Sequence, residues 1–350
     1  PVFGMGPQLM GAKVETYPLY AENNFLPDFA DIPEETAKAA KFMIISYPAN
    51  PVCSVADDSF YEKAIAFAKK YNPDFHVCYN KGHVGYLDKP VIKDYSYFSF
   101  ESLPGVEWGY LDFPVSAKYM RNFGKECLGL TSRFHTEWGD FHAFRNEAAM
   151  EYEVFSMLSH GCKCTIGDQM DYWGKLNKDM YQQIGRVYKS VEEKEPWCEN
   201  AKPVSEIGVF TAEEFYATGV AGQIPGASEG VARLLMEYGY QFDFIDSTSD
   251  FGKYRLLILP DVIPVDEILG RKLSAYINAG GKLLASYQSG LDKDHQKFMI
   301  SELAVKYLGD APYSPDFIWP KEHLAKGLAD AEHVMYDKGT LVEATDEAQF

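Results

Sequence analysis

Short apolar runs that are each followed at once by polar side chains place the strongest constraint on how residues 73–200 of this chain fold. There are four such runs, at 74–80, 97–104, 127–141 and 162–169. Polar groups that gather beyond the carboxyl ends of neighbouring strands are typical of barrels and open parallel sheets. The pattern therefore predicts four strands of a parallel α/β fold with a site along one edge.

The polar residues of these runs are the candidate site residues. They are Asn80, His83, Glu101, His135, Glu137, Trp138, Asp140, Asp168 and Gln169. Carboxylates, amides and imidazoles hydrogen-bond ligand hydroxyl groups, and an indole face provides a flat stacking surface. Each residue also has a structural alternative, such as a carboxylate paired with an arginine, a histidine bonded in the interior or a ring in the core.

Two helices accompany these strands. The first is predicted over 146–161, with an apolar stripe and Gly161 at its end, and the second over 176–197, with Pro196 at its end. The stripes are Met150, Val154, Met157 and Leu158 in the first helix, and Leu176, Met180, Ile184, Val187, Tyr188 and Val191 in the second. Both faces favour packing against a sheet.

Residues 201–305 alternate between short strands and helices in the order strand, helix, strand, strand, helix, strand. This order predicts a doubly wound α/β unit. No cysteine follows one of its strands, which disfavours amidotransferase chemistry. The acidic, proline-bearing stretch 306–350 ends in a segment that indicates interrupted β structure.

Residues 1–72 form a third block. Pro33 with two following glutamates predicts a helix start, residues 42–51 predict a short buried strand that ends in a loop, and residues 57–72 predict an amphipathic helix. Its apolar face comprises Phe60, Ala64, Phe67 and Ala68.

Composition excludes several partners. The formal net charge of −18 disfavours nucleic acid and anionic membrane surfaces, which require clustered lysine and arginine. No run of 18 apolar residues predicts a membrane span. The six cysteines lack the spacing of a metal site, and reduced buried thiols indicate a cytoplasmic protein.

The stretches "YNKGHVG", "FESLPGVEWGYLDFP", "GKECLGLTSRFHTEWGDF", "GCKCTIGDQ" and "YQQIGRVYKSVEEKEPW" resemble glycoside hydrolases of the α-L-fucosidase-like group near family 151, and family 42. The resemblance implies that 73–200 is a partial (β/α)8 barrel, strands five to eight. It implies that 201–305 is a flavodoxin-like or glutamine-amidotransferase-like domain of the β-galactosidase trimerisation type, with 306–350 as its truncated tail. A carbohydrate substrate with fucosyl or galactosyl ends, a retaining mechanism and a homotrimer are further expectations from this resemblance.

Cleavage of a glycosidic bond requires two carboxyl groups, one that donates a proton and one that attacks the sugar or activates water. An apolar surrounding favours the protonated donor. Glu101 fits the donor because phenylalanines precede it and Leu103-Pro104 follows it. Asp140 is the second catalytic candidate, and the other strand-end residues are candidates for sugar binding. By the resemblance, strands one to four and their carboxylate are not in the sequence.

The stretch "GAKVETYPLYAENNFLPDFADIPEETAKAAKFMIISYPANPVC" resembles class I/II aminotransferases of the diaminopimelate and alanine type. The resemblance implies that Asn50 is a vestigial contact of the pyridoxal ring. Val52 and Cys53 depart from the family's usual Thr-Gly, and no Ser-x-x-Lys follows in a matching setting. Without the Schiff-base lysine, aminotransferase chemistry is disfavoured, and no cofactor is expected.

Three hypotheses remain at this stage. The chain is an incomplete glycosidase, a catalytically inactive chimera with a structural or weak sugar-binding role, or an aminotransferase. The abrupt change of family near Tyr71-Asn72-Pro73, with no linker, favours two joined segments.

Overall fold

The computed structural model describes residues 2–9, 11–48, 52–105, 108–135, 140, 143–169, 173–216 and 222–345. The chain divides into two compact units. Unit 1 comprises residues 1–78, 94–97 and 170–176, and unit 2 comprises residues 79–93, 98–169 and 177–350.

The described part of unit 1 contains three helices, α1 (Val2–Leu9), α2 (Glu34–Ala39) and α3 (Asp58–Tyr71), with 3-10 turns at Ala21–Asn23 and Phe29–Asp31. The predicted helix after Pro33 and the predicted amphipathic helix are both confirmed. Helix α3 begins where the Asp57 carboxylate accepts a hydrogen bond from the Phe60 amide at 2.9 Å. Its apolar face packs on Phe29, whose ring centroid lies 5.4 Å from that of Phe60.

Two predicted strands are wrong. Residues 42–46 have no strand structure, and the Phe42 side chain is 86% exposed. The described part of unit 1 contains no strand with which this segment could pair, and an unpaired strand is not stable in water. Residues 74–80 also lack strand structure, since the Val77 amide donates to Ser96 Oγ and its carbonyl accepts from the Ser96 amide, both at 2.8 Å. These are backbone groups that a sheet would use.

Unit 2 begins with strands and helices in alternation. They are β1 (Phe98–Glu101), α4 (Asp112–Met120), β2 (Cys127–Ser132), α5 (Glu147–Ser159), β3 (Lys163–Gly167), α6 (Lys178–Glu192) and α7 (Glu195–Cys198). The three strands form a parallel sheet in the order β1-β2-β3. Three of the four strands expected in this region are therefore present.

The predicted stripes of α5 and α6 are confirmed. Buried residues of the two helices form one cluster against the sheet, namely Met150, Val154, Met180, Ile184, Val187 and Val191. Leu176 is 64% exposed and precedes α6, so its place in the stripe is wrong. Helix α6 ends at Glu192, and Pro196 stands in the first turn of α7, where its missing amide costs nothing.

The outward edge of β3 meets a side chain of α6. The Ile166 amide donates to the Tyr188 hydroxyl at 3.2 Å, and this hydroxyl lies 3.5 Å from the Cys164 carbonyl oxygen, to which it donates. The backbone groups of Thr165 and Gly167, which alternate with these residues, face β2. The Gly167 carbonyl accepts a hydrogen bond from the Arg133 amide there. One phenol thus satisfies two backbone groups that face away from β2.

The next part of unit 2 is a second parallel sheet. Its elements are β4 (Ile207–Phe210), α8 (Glu213–Tyr216), α9 (Gly226–Glu237), β5 (Phe242–Ile245), β6 (Leu256–Leu259), α10 (Glu267–Asn278) and β7 (Lys282–Ala285). The strand order is β5-β4-β6-β7. The α/β alternation predicted for this region is confirmed, and its core includes Phe210, Leu257 and Leu273, each fully buried.

The chain continues as two antiparallel pairs. Strands β8 (Val305–Asp310) and β11 (Thr340–Ala344) form one pair, and β9 (Asp316–Ile318) and β10 (His333–Met335) form the other. None of the helices in the described part of the chain is long and apolar enough to cross a membrane.

Candidate active site

The carboxyl ends of β1, β2 and β3 lie along one edge of the first sheet. Glu101 stands opposite Leu130, and Ser132 stands opposite Gly167 in the parallel register. The residues that follow these ends therefore share an edge, as the sequence pattern requires of a site. Glu101 itself is half-buried, and its amide donates to the Gly82 carbonyl at 3.0 Å.

The loops that follow β1 and β2 touch. A Cβ atom added to Gly105 would lie 2.3 Å from the His135 carbonyl oxygen, so this approach requires glycine. His135 is exposed, and Asp140 and Gln169 are half-buried. Glu137 and Trp138 lie outside the described residues, and so does Asn50 of the N-terminal segment.

Asp168 is anchored by an arginine that the sequence analysis did not single out. Arg133 Nε lies 2.5 Å from Asp168 Oδ1, and Arg133 Nη1 donates to the Ala143 carbonyl at 3.0 Å. The arginine side chain is 3% exposed. Burial and the neighbouring Asp168 both raise the pKa of Tyr181. Asp168 thus joins the end of β3 to the loop after β2. This is the structural role, a carboxylate paired with an arginine, that the sequence left open as the alternative to ligand binding.

A second buried network lies behind the same edge. Arg145 forms an ion pair with Glu153, and it donates to Thr131 Oγ1 at 3.0 Å and to the Ser132 carbonyl at 3.1 Å. Burial raises the pKa of Glu153 to about 7, although the Arg145 charge opposes that shift. Sequence reasoning missed both residues. The available signal was the position of Glu153 on the apolar stripe of α5, where a carboxylate needs a buried partner.

The structure places two further candidates before β1. Asn80 is exposed, whereas His83 is 8% exposed. His83 Nε2 lies 2.9 Å from Glu213 Oε1, and its Nδ1 lies 3.2 Å from Ser116 Oγ. Burial lowers the pKa of His83, but Glu213, Asp112 and Asp88 outweigh it, so the pKa is raised overall.

Asp112 completes this buried cluster. It is 3% exposed, and its Oδ2 accepts a hydrogen bond from the Gly222 amide at 3.0 Å. Burial raises the pKa of Asp112 to about 6, against the opposing effect of His83. Glu213 in turn accepts from the Tyr86 amide at 3.0 Å. The cluster links the first sheet region to the start of α8.

Further polar contacts join the same two parts of unit 2 around β5. Asp246, at the carboxyl end of β5, lies 2.6 Å from Lys89 Nζ and accepts from the Tyr119 hydroxyl at 2.7 Å. Arg121 Nη2 lies 2.5 Å from Asp243 Oδ1. Ligands of doubly wound sheets bind beyond the carboxyl strand ends. Here, the side chains of Lys89 and Tyr119, which come from the first sheet region, occupy part of the space beyond the carboxyl end of β5.

No group of three or more His, Cys, Asp or Glu side chains within the described ranges is placed to hold a metal ion.

Two protein families match separate parts of the chain. Residues 233–306 match the β-galactosidase trimerisation domain, and residues 2–79 match aminotransferase class I and II. An LL-diaminopimelate aminotransferase from Syntrophobacter fumaroxidans is 38% identical over 105 residues, which are 30% of this chain and 26% of the relative.

Solved structures resemble the other part. The α-L-fucosidase isoenzyme 2 from Paenibacillus thiaminolyticus has a TM-score of 0.77 and 34% identity, over 82% of this chain and 44% of that chain. A β-galactosidase from Rahnella sp. R3 has a TM-score of 0.66 and 15% identity, over 82% of this chain and 48% of that chain, and thus shares the fold. The chain spans less than half the length of each of these relatives. It therefore joins a part that resembles glycoside hydrolases to a part that resembles class I/II aminotransferases.

Proposed function

We propose that residues 73–350 derive from a glycoside hydrolase and that the completed site cleaves fucosyl or galactosyl glycosides with paired carboxyl groups. The observation that carries this proposal is the 34% identity to an α-L-fucosidase over 82% of the chain, at a TM-score of 0.77. In this proposal residues 73–200 belong to the C-terminal half of the barrel, with β1, β2 and β3 as three of its strands, residues 201–305 are the trimerisation-type domain, and residues 306–350 continue from it. The carbohydrate substrate and a homotrimer follow from the same relatives.

The roles of individual residues are assigned from their places at the strand ends. Glu101 donates the proton to the leaving oxygen, because it is half-buried at the end of an apolar strand. Asp140, half-buried after β2, serves as the second carboxyl group. His135 and Gln169 bind sugar hydroxyls, and Asp168 holds the strand ends through Arg133.

Residues 1–72 contribute no pyridoxal chemistry in this proposal. The predicted strand before Asn50 is not formed, and Phe42 within it is 86% exposed. The described residues of unit 1 therefore offer no sheet edge on which a pyridoxal ring could rest, and the residues do not fit this cofactor. The segment is best explained as an aminotransferase fragment joined to the hydrolase near Tyr71-Asn72-Pro73. The proposal also places the protein in the cytoplasm, where free thiols stay reduced.

Hydrolysis of aryl glycosides tests the proposal. The chain is assayed on aryl α-L-fucoside and aryl β-D-galactoside, alone and when co-expressed with the part of the Paenibacillus enzyme that precedes the matched region. We expect turnover in the co-expressed form and a loss of about 100-fold or more in kcat for Glu101→Gln, since general acid catalysis typically contributes that much. Glu126→Gln, at an exposed ion pair with Lys163, is the matched control and should retain full activity.

A second candidate function is purely structural. A closed barrel needs eight strands, and the described residues of this region form a sheet of three. A folded chain that hydrolyses neither glycoside, alone or with the co-expressed part of the Paenibacillus enzyme, would support an inactive chimera over a hydrolase. Full activity of Glu101→Gln in an active complex would contradict the role of that residue.

A further inference from the structure

Two thiols lie side by side near the amino ends of β2 and β3. Leu128 stands opposite Lys163 in the parallel register, so the residues directly before them, Cys127 and Cys162, face each other across the two strands. The neighbouring Cys127 thiol raises the pKa of Cys162, as a group close by does. Both cysteines are free, and they are 3% and 4% exposed.

The two side chains point to the same face of the sheet. Side chains two residues apart along a strand share a face. Cys127 therefore lies on the face of Gly129, where an added Cβ would meet Met157 at 2.6 Å. Cys162 lies on the face of Cys164, which packs against the helix cluster of α5 and α6. Both thiols thus lie in the layer between the sheet and its helices.

We propose that Cys127 and Cys162 form a redox site that closes to a cross-strand disulfide when the protein meets hydrogen peroxide. Neighbouring strands lie about 4.8 Å apart, and disulfides join Cα atoms about 4.4–6.8 Å apart, so the backbone is already within range. The closed bond ties the amino ends of β2 and β3 together. Neither the glycosidase chemistry nor the aminotransferase resemblance requires this pair.

The reaction with a peroxide balances as follows. One thiolate attacks a peroxide oxygen, a sulfur–oxygen bond forms, the oxygen–oxygen bond breaks, and the leaving hydroxide takes up a proton. The second thiolate then attacks this sulfur, the sulfur–sulfur bond forms, and the sulfur–oxygen bond breaks with release of water. Two thiols and one hydrogen peroxide give one disulfide and two waters, and the peroxide takes up the two electrons.

The site should react slowly. Attack requires the thiolate, and both the neighbouring Cys127 thiol and burial raise the pKa of Cys162. Cys53, by contrast, is exposed and provides an internal standard for oxidant access. We expect Cys53 to react first and the buried pair to close later, faster at higher pH.

Mass spectrometry of the full chain tests the proposal. The native protein is oxidised with hydrogen peroxide, remaining thiols are alkylated with N-ethylmaleimide after denaturation, and the peptides are mapped. The expected product is a cross-linked peptide joining Cys127 to Cys162, lighter by two hydrogens and restored by dithiothreitol. Two alkylated thiols at these positions after complete oxidation of Cys53 would overturn the proposal, and so would a bond from Cys162 to Cys164 or Cys198.

Thermal unfolding gives an independent measurement. A disulfide constrains the unfolded chain, so the oxidised protein should melt several degrees above the reduced protein. Cys127→Ser and Cys162→Ser should each abolish both the cross-link and this shift, whereas Cys53→Ser should keep both. If either serine variant fails to fold, the cross-link in the unmodified chain decides the question, since that measurement needs no substitution.

Discussion

The described ion pairs of unit 1 are exposed, whereas unit 2 has buried pairs beside its exposed ones. In the described part of unit 1, Lys38 and Glu34 pair with both side chains about two-thirds exposed, at 65% and 66%. In unit 2, Arg145 and Glu153 pair with side chains 4% and 2% exposed. Exposed pairs contribute little to stability, whereas a buried charge that loses its partner is costly. Unit 2 is therefore the part of the molecule whose interior depends on specific polar partners.

The same contrast holds for apolar residues. Phe42 of unit 1 belongs to a sequence typical of a buried strand, yet it is 86% exposed. Phe244 of unit 2 is fully buried in β5, which pairs with β4 in a parallel sheet. A strand-like sequence becomes a strand only when other strands are present to pair with it. This difference is what a fragment of one protein joined to a larger part of another should show.

The largest expected effect comes from breaking the buried pair of unit 2. Arg145→Ala should lower the free energy of unfolding by about 3–5 kcal/mol, because Glu153 would remain buried without its counter-charge. Arg186→Ala removes the partner of Glu147 in an exposed pair and should change the free energy of unfolding by less than about 1 kcal/mol. Urea unfolding followed by circular dichroism measures both. Equal losses in the two variants would remove the distinction between buried and exposed pairs.

The next effect concerns pH. Because burial raises the pKa of Asp112 from its ordinary value of 3.8 to about 6, the folded state favours its protonated form. Its contribution to stability is therefore complete below the lower value and is lost as pH rises through 6. Asp112→Asn cannot ionise, so from pH 4 to pH 7 it should gain about 2 kcal/mol relative to the original chain.

That comparison must be made at each pH, because His160 acts in the opposite direction. Burial lowers the pKa of His160 to about 4, so its contribution is present above 6.5 and is lost as pH falls toward 4. Subtracting the free energy of unfolding of the original chain from that of the Asp112→Asn variant at each pH removes the contribution of His160. A difference that stays constant from pH 4 to pH 7 would show that Asp112 ionises in the folded state as it does in the unfolded chain.

A smaller effect is expected where β2 meets α5. Gly129→Ala should destabilise unit 2 by about 1–3 kcal/mol, because the new methyl group would lie 2.6 Å from Met157. Gly185→Ala, on α6 with open space around it, should instead stabilise by about 0.5–1 kcal/mol. Calorimetric melting of the two variants provides the measurement. Stabilisation of both variants would mean that the sheet–helix layer relaxes freely around the new methyl group.

The smallest effect is expected in unit 1. Phe42→Ser replaces a large apolar side chain that packs little, so the free energy of unfolding should change by less than about 0.5 kcal/mol. Solubility should improve, since an exposed apolar side chain is removed. A loss of several kcal/mol in urea unfolding would show that Phe42 is buried in solution and would weaken the contrast between the units.

The periodic elements were predictable from the sequence. The α5 and α6 stripes and the β4–β7 alternation depend on local spacing, and the structure confirms them, because neighbouring elements cover each predicted face. The absence of a strand at 42–46 could not be predicted from the sequence. Its apolar residues fit a buried strand, and the failure comes from missing neighbours, which spacing within the segment does not reveal.

The candidate site was predictable to a lesser degree. The strand-end placement of Glu101 and Asp168 follows from alternation along the chain, and the sheet register brings these ends together. The partner of Asp168 is 35 positions away in sequence, and that of His83 is 130 positions away. The first contact depends on the pairing of β2 with β3, and the second depends on how the two parallel sheets of unit 2 meet, which no motif in the sequence encodes.

The Tyr188 hydroxyl at the outer edge of β3 has a consequence for how copies of the chain behave in concentrated solution. Open strand edges act as templates on which another chain can add. Here, the Ile166 amide and the Cys164 carbonyl are already engaged by one phenol from the same molecule. A second chain must displace that hydroxyl before it can pair, so a single oxygen atom sets a barrier to filament growth at this edge.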